Sequence, residues 1–311
     1  MQSPSASPLP PDSKTGLAGK LALYKELSKS GIVALVLISV LGGYLIGQSA
    51  ETHLDLGRMF LTLIGVLFLA SGSSALNQLQ EWKIDAEMPR TAKRPLPSGR
   101  MSKLHVGVFV TVGVTLGWAI LHWLSPALGL LGLLAVVLYN GLYTLWWKKR
   151  WAYAAVPGAI PGALPILMGY ASASGEVFNP AGIYLFFILF FWQMPHFWVL
   201  ALKFTEDYRQ GGIPTLPVAL GDRITRYQIT LWGLAYIALA LIGPLFLKVG
   251  FLYLAITLAT SIKLLYELRF FAKQPDNKSW LRFFLWINFS LILFVGAAVV
   301  DLWSIYLPAV R

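Results

Sequence analysis

Hydrophobic residues along this chain come in blocks near 20 long, at roughly 30–48, 58–79, 104–124, 127–146, 153–172, 181–202, 227–247, 250–268 and 283–303. That is about the length a helix needs to cross a ~30 Å hydrocarbon core at 1.5 Å per residue. The pattern predicts an all-α polytopic membrane protein of nine transmembrane helices, one domain over 30–303. Residues 304–311 form a short extracytoplasmic C-terminus. Residues 1–29 read as a short cytoplasmic tail, Ser- and Pro-rich at first and then carrying Lys14, Lys20, Lys25 and Lys29. No apolar leader with a cleavage site and no Arg-rich amphipathic stretch is evident there, so no targeting peptide is expected.

Composition narrows the choice. At 57% hydrophobic residues, a single soluble globule is excluded. With zero cysteines there is no disulfide framework, thiolate metal site or cysteine nucleophile. The net charge of +11 raises nucleic acid as a partner, but basic inward loops account for it. With the N-terminus inside, the loops after spans two, four, six and eight also face inward, and 22 of the 25 Lys and Arg then fall inside. Only Arg58, Lys248 and Arg311 lie outside, so the orientation is set and no nucleic-acid partner is expected.

Two inward loops stand apart. One begins at Asn77 and runs through Pro95-Leu96-Pro97 to Gly99; the other begins at Lys203 and runs through Pro214-Thr215-Leu216-Pro217 to Gly221. Each follows the second span of a four-span set. A diverged four-span repeat plus a ninth span is therefore expected, its halves meeting around a central cavity.

In the first loop Asn77, Glu81 and Asp85 recur every four residues, so on a helix they form one stripe, about 6 Å apart along the axis and drifting about 40° per step. Amide and carboxylate oxygens at that spacing suit a hard cation such as Mg²⁺, which keeps positions open for phosphate oxygens. Arg90, Lys93 and Arg94 follow, placed to hold a diphosphate by charge-assisted bonds. The plainer alternative is a solvated helix end before a basic loop. In the second loop Asp207 stands four after Lys203 with Glu206 beside it. Either Asp207 and Glu206 add metal-binding oxygens while Lys203 neutralises diphosphate, or 203 and 207 form an ordinary helical ion pair worth a few tenths of a kcal/mol.

These motifs resemble those of the UbiA-type intramembrane prenyltransferases: Asn77-x-x-x-Glu81-x-x-x-Asp85, Met88-Pro-Arg-Thr91 and Arg94-Pro-Leu-Pro-Ser-Gly99. Trp192-Gln-Met-Pro-His-Phe197 and Asp207-Tyr-Arg-Gln-Gly-Gly-Ile-Pro214 are similar, more narrowly, to the branch that farnesylates haem. Tyr143-Thr144 ahead of Lys148-Lys149-Arg150, and Gly158 to Pro165, fit the same branch, and the likeness runs from about residue 25 to 300. One departure is Lys203-x-x-x-Asp207, where the wider superfamily carries a second Asp-x-x-x-Asp; a symmetrical second metal site does not follow. The resemblance implies Mg²⁺ at Asn77, Glu81, Asp85, Asp207 and Glu206, and diphosphate at Arg90, Lys93, Arg94, Lys148 and Lys203. It also implies farnesyl diphosphate and haem B as substrates, haem O as product, and a bacterial inner membrane. Haem A synthase or oxidase-assembly proteins would be partners. Rival readings are prenyl transfer to a quinone precursor or chlorin and, from another class, secondary transport.

His196 sits seven before Lys203 and eleven before Asp207. On a continuous helix it lies on their face about 16 Å deeper than Asp207, either as a haem-iron ligand, as the group orienting the added water, or as a histidine satisfied by a neighbouring helix. His53, His105 and His122 sit near span ends and read as interfacial. Pro157, Pro161 and Pro165 recur every four residues in the fifth span, which either loosens that helix around a flat macrocycle or accompanies small-residue packing.

Overall fold

The computed structural model describes residues 16–48, 54–273 and 276–306; His53 and the first half of the N-terminal tail lie outside them. The regular structure among the described residues is helical: α1 (Leu17–Leu27), α2 (Ser30–Gly47), α3 (Leu56–Glu87), α4 (Lys103–Leu124), α5 (Pro126–Arg150), α6 (Ala155–Ser174), α7 (Pro180–Lys203), α8 (Thr205–Gln210), α9 (Leu216–Leu241), α10 (Phe251–Lys273) and α11 (Asn277–Tyr306). Among the described residues eight of these, all but α1, α8 and α9, are long and apolar enough to cross a membrane. α9 carries the seventh expected span, its apolar run diluted by Arg226, Gln228 and Thr230. It also stops short of residue 247, because Gly243 and Pro244 tighten into a 3₁₀ turn.

The expected tail changes most. Its second half is α1, which packs on the inner ends of α3 and α4: Leu27 is buried, and the Gln78 amide donates to the carbonyls of Glu26 and Leu27. Arg100 pairs with Glu26, and the rings of Tyr24 and Phe109 lie 5.4 Å apart.

Without a hydrophobic driving force between helices in lipid, close backbone approach at small residues has to hold the bundle. On α3 and α4, a Cβ on Gly72 would fall 2.9 Å from the Val114 nitrogen, and one on Gly117 2.5 Å from the Leu69 nitrogen. On α2 and α6, Gly43 and Gly169 approach the Ile166 and Val40 carbonyls so closely that a methyl would sit 2.1 and 2.0 Å away. α6 stays helical through Pro161 and Pro165, so of the two readings of its prolines the small-residue packing is the one found. At the start of α3 Arg58 donates to the carbonyls of Ser172 (2.6 Å) and Leu124 (3.3 Å), tying the ends of α6 and α4 to α3.

α3 is 32 residues long, about 48 Å, well beyond a ~30 Å hydrocarbon core. Its surplus turns carry the polar residues 77–87 past its apolar run. The second half of the repeat differs there: α7 ends at Lys203, Phe204 leaves helical geometry (φ −111, ψ 28), and the six-residue α8 starts in a new direction.

Candidate active site

Asn77, Glu81 and Asp85 lie on one uninterrupted helix, and all three are buried. A buried carboxylate needs a partner, and each finds a cation from a different element. Lys148, at the end of α5, donates from Nζ to both Glu81 oxygens at 2.8 Å. Arg94, in the loop after α3, donates to Asp85 Oδ1 and Oδ2 at 2.7 and 2.6 Å. Asn77 accepts from Lys29 Nζ at 2.7 Å through Oδ1, while its Nδ2 donates to Glu81 Oε2 at 2.9 Å and Thr144 Oγ1 at 3.1 Å. Acceptors on one side and a donating ammonium on the other fix the amide's orientation.

A polar seam runs down α3 and α5. Ser73 donates to Asn140 Oδ1 (2.6 Å), Asn77 meets Thr144, and Glu81 meets Lys148. Every rung joins residues 67 apart, because both helices step by four. The inner half of α5 achieves this in π-helical turns over Val137–Trp147. There the Thr144 hydroxyl also donates five residues back to the Tyr139 carbonyl. Such turns are rare and collect at functional sites.

The second loop does not join the first as its sequence suggests. Lys203 turns toward α11, donating to Asn277 Oδ1 at 3.0 Å and lying 5.2 Å over the Trp280 ring, away from the place expected of a diphosphate ligand. Glu206 is exposed and paired with Arg209, so it is no metal ligand in this arrangement. Asp207, on α8, meets the first motif through Arg90, whose Nε is 3.7 Å from Oδ2. That guanidinium also lies over the rings of Phe204 and Tyr208. Lys93 is exposed, its carbonyl taken by Arg100. The break at Phe204 explains these departures, since four-residue spacing aligns side chains only along an unbroken helix. Among the described residues no three His, Cys, Asp or Glu side chains converge as a metal site.

His196 therefore does not share a wall with Asp207. It faces the α7–α11 seam, stacked 4.6 Å from Trp192 and 5.6 Å from Phe284, with Nδ1 buried and unpartnered. Phe197, one residue on, faces the other way, into a cavity of about 10 Å³ lined also by Tyr143, Lys148, Trp151, Tyr208 and Ile213. That is room for about one water.

Lys29 went unread in the sequence, standing among tail lysines and 48 residues from its partner. Burial first, then the charges of Arg94 and Lys148, push its ammonium down to about 7. Asn140 and Thr144 were also missed; a four-residue polar spacing ending at Lys148 was their only signal.

The oxygens of Asn77, Glu81 and Asp85 fit a hard divalent cation: they are amide and carboxylate donors on one face, already organised around positive charge by internal stand-ins.

A family model described as the UbiA prenyltransferase family matches residues 36–290. The protoheme IX farnesyltransferase of Bdellovibrio bacteriovorus is 48% identical over 285 residues, covering 91% of this chain and 97% of that protein. That of Aquifex aeolicus is 39% identical, over 90% of this chain and 94% of its own. Among solved structures, one from work on digeranylgeranylglyceryl phosphate synthase has a TM-score of 0.74 at 19% identity, covering 91% of this chain and 98% of its own. A UbiA homologue from Archaeoglobus fulgidus bound to DMAPP and Mg²⁺ reaches 0.60 at 18% identity, covering 89% and 98%. At such identities the two structures speak to the fold alone.

Proposed function

The chain belongs to the UbiA prenyltransferase family, and from that membership we propose that it farnesylates haem B at the inner end of α3. Farnesyl diphosphate gives its farnesyl group to a vinyl carbon of the porphyrin, water adds to the neighbouring carbon, and haem O and diphosphate leave. The protein is an integral membrane enzyme, and the names of its relatives from Bdellovibrio and Aquifex support this acceptor and donor. The observation that carries the reading is that every oxygen-bearing residue of the first motif is held by a cation from another element.

Breaking an allylic C–O bond builds negative charge on the leaving diphosphate. Mg²⁺, as in the Archaeoglobus homologue, would be held by Asn77, Glu81 and Asp85 and would supply Lewis-acid stabilisation of that charge. Arg94 and Lys148 add fixed positive charge where the charge develops. Asp207 positions Arg90 above Phe204 and Tyr208, so the guanidinium of the first loop is anchored on the second. Tyr143, Phe197 and Tyr208 face the cavity beside Lys148; their rings keep water from the allylic cation and stabilise it by cation–π attraction. On the far side of α7, the unpartnered Nδ1 of His196 between two flat rings supports a place for it in holding the haem acceptor. The basic inward loops support an inner-membrane protein with a cytoplasmic N-terminus, its catalytic end facing the cytoplasm.

Purified protein supplied with haem B, farnesyl diphosphate and Mg²⁺ is expected to yield a product of the mass of haem O together with free diphosphate. Prenyl transfer to a quinone precursor under the same conditions, with haem B left unchanged, would overturn the acceptor. A His196→Ala variant is expected to alter the absorption spectrum of bound haem; an unchanged spectrum excludes ligation.

A further inference from the structure

The first motif holds three cations, Lys29, Lys148 and Arg94, against two carboxylates, Glu81 and Asp85. With Lys29 protonated, the set carries one surplus positive charge before any ligand arrives. A divalent metal arriving alone would raise that to three in a partly buried place, where like charges repel strongly. Arriving with a diphosphate, whose three or so negative charges can take up the freed ammonium groups, it would not. The ligand oxygens are also engaged: a metal reaching Asn77 Oδ1 has to displace the Lys29 ammonium 2.7 Å away.

Lys29 is held in that place at some expense. Its backbone is left-handed (φ 52, ψ 52), the only non-glycine residue with positive φ among the described residues. For a side-chain-bearing residue that conformation is unfavourable, and it persists only where the surroundings impose it. The surroundings here are α1, clamped by Gln78 through the carbonyls of Glu26 and Leu27, and α2, which starts at the next residue. The bend between them aims the ammonium at the first motif.

We propose that Lys29 is a placeholder cation: it occupies the amide-oxygen corner of the metal site and makes divalent-metal binding conditional on the diphosphate. Metal and diphosphate then enter as a pair, and by linkage each raises the affinity for the other by the same factor. An enzyme so built does not fill with free cytoplasmic Mg²⁺ between turnovers. This inference rests on the metal reading of Asn77, Glu81 and Asp85, and the experiment separates the two.

The test is equilibrium dialysis of the detergent-solubilised full chain against Mn²⁺, with and without inorganic pyrophosphate, for wild type, Lys29→Gly, Lys29→Arg and Asp85→Asn. Glycine accepts the left-handed backbone, so the first variant removes the ammonium and the strain together; Lys29→Asn, which also tolerates that backbone, replaces it if folding fails. Wild type is expected to retain Mn²⁺ weakly alone and strongly with pyrophosphate. Lys29→Gly is expected to bind Mn²⁺ alone about tenfold more tightly and to gain correspondingly less from pyrophosphate. Lys29→Arg, which keeps the charge, should keep the wild-type coupling. Unchanged coupling in Lys29→Gly, weaker Mn²⁺ retention in both conditions, or coupling lost in Lys29→Arg as well, each overturns the placeholder role while leaving the metal site standing. Wild-type retention in Asp85→Asn overturns the metal site and the inference with it.

Discussion

The two helix ends at 77–94 and 203–215 hold matching places in the two halves of the bundle and treat charge in opposite ways. On the first, the helix runs on past the expected membrane boundary, so four-residue spacing becomes a real stripe. Its buried acids are each met by a cation from elsewhere in the chain. On the second, the helix stops at Lys203 and restarts two residues on. Lys203 and Glu206 are thereby turned to the α11 side and to solvent, and Asp207 alone reaches across, through Arg90. The difference teaches that a repeat can keep its residue types while an unbroken or broken backbone decides which of them act. It also makes one end a charge-dense site and the other its support.

Four substitutions would break or sharpen that contrast. Asp85→Asn should lower haem O formation about 10²–10³-fold, the scale for removing one preorganised electrostatic group. Mass analysis of the product, at matched levels of folded protein in the membrane, would read it; near-normal turnover would erase the distinction between the two ends. Asp207→Asn leaves Arg90 without its anchor and should lower turnover about 10- to 100-fold, the usual range for a supporting residue of a metal site. A loss as deep as that of Asp85→Asn would make the two ends equal contributors. Lys203→Met should change KM for farnesyl diphosphate by less than about fivefold, since it removes only an exposed contact. A tenfold rise would return Lys203 to the diphosphate. Smallest of all, Glu206→Gln should leave turnover unchanged and stability within about 0.5 kcal/mol by thermal unfolding.

Much of this was legible in the residues. Apolar block length revealed the spans because a bilayer sets one length for all of them, and α9 strayed where Arg226 and its neighbours mix polar groups into the run and where Gly243 and Pro244 end it early. The stripe at 77, 81 and 85 was legible because its helix does not end where its hydrophobicity does. The break at Phe204 was not: no Gly or Pro stands between Lys203 and Asp207, and Phe204 packs there with Tyr208 and Ile213 against Met88 of the distant first loop. Lys29 was hidden for a related reason. A lysine in a basic segment reads as orientation signal, and only the fold of α1 against Gln78 brings it to Asn77. His196 lost its assumed alignment with Asp207 with the continuity of the helix.

The seam between α3 and α5 has a consequence for how this chain can vary. Because its rungs are offset by a constant 67 positions, it works like a ratchet whose teeth mesh at a single setting. Side chains facing lipid along these two helices are free to drift over evolutionary time, but the spacing from Asn140 to Lys148 is not. Losing one residue from the widened turns would swing Lys148 by about 100° away from Glu81, stranding an acid in the bundle. What the seam requires is thus the spacing within each helix, from Ser73 to Glu81 and from Asn140 to Lys148, while the connections between them can change length without disturbing it.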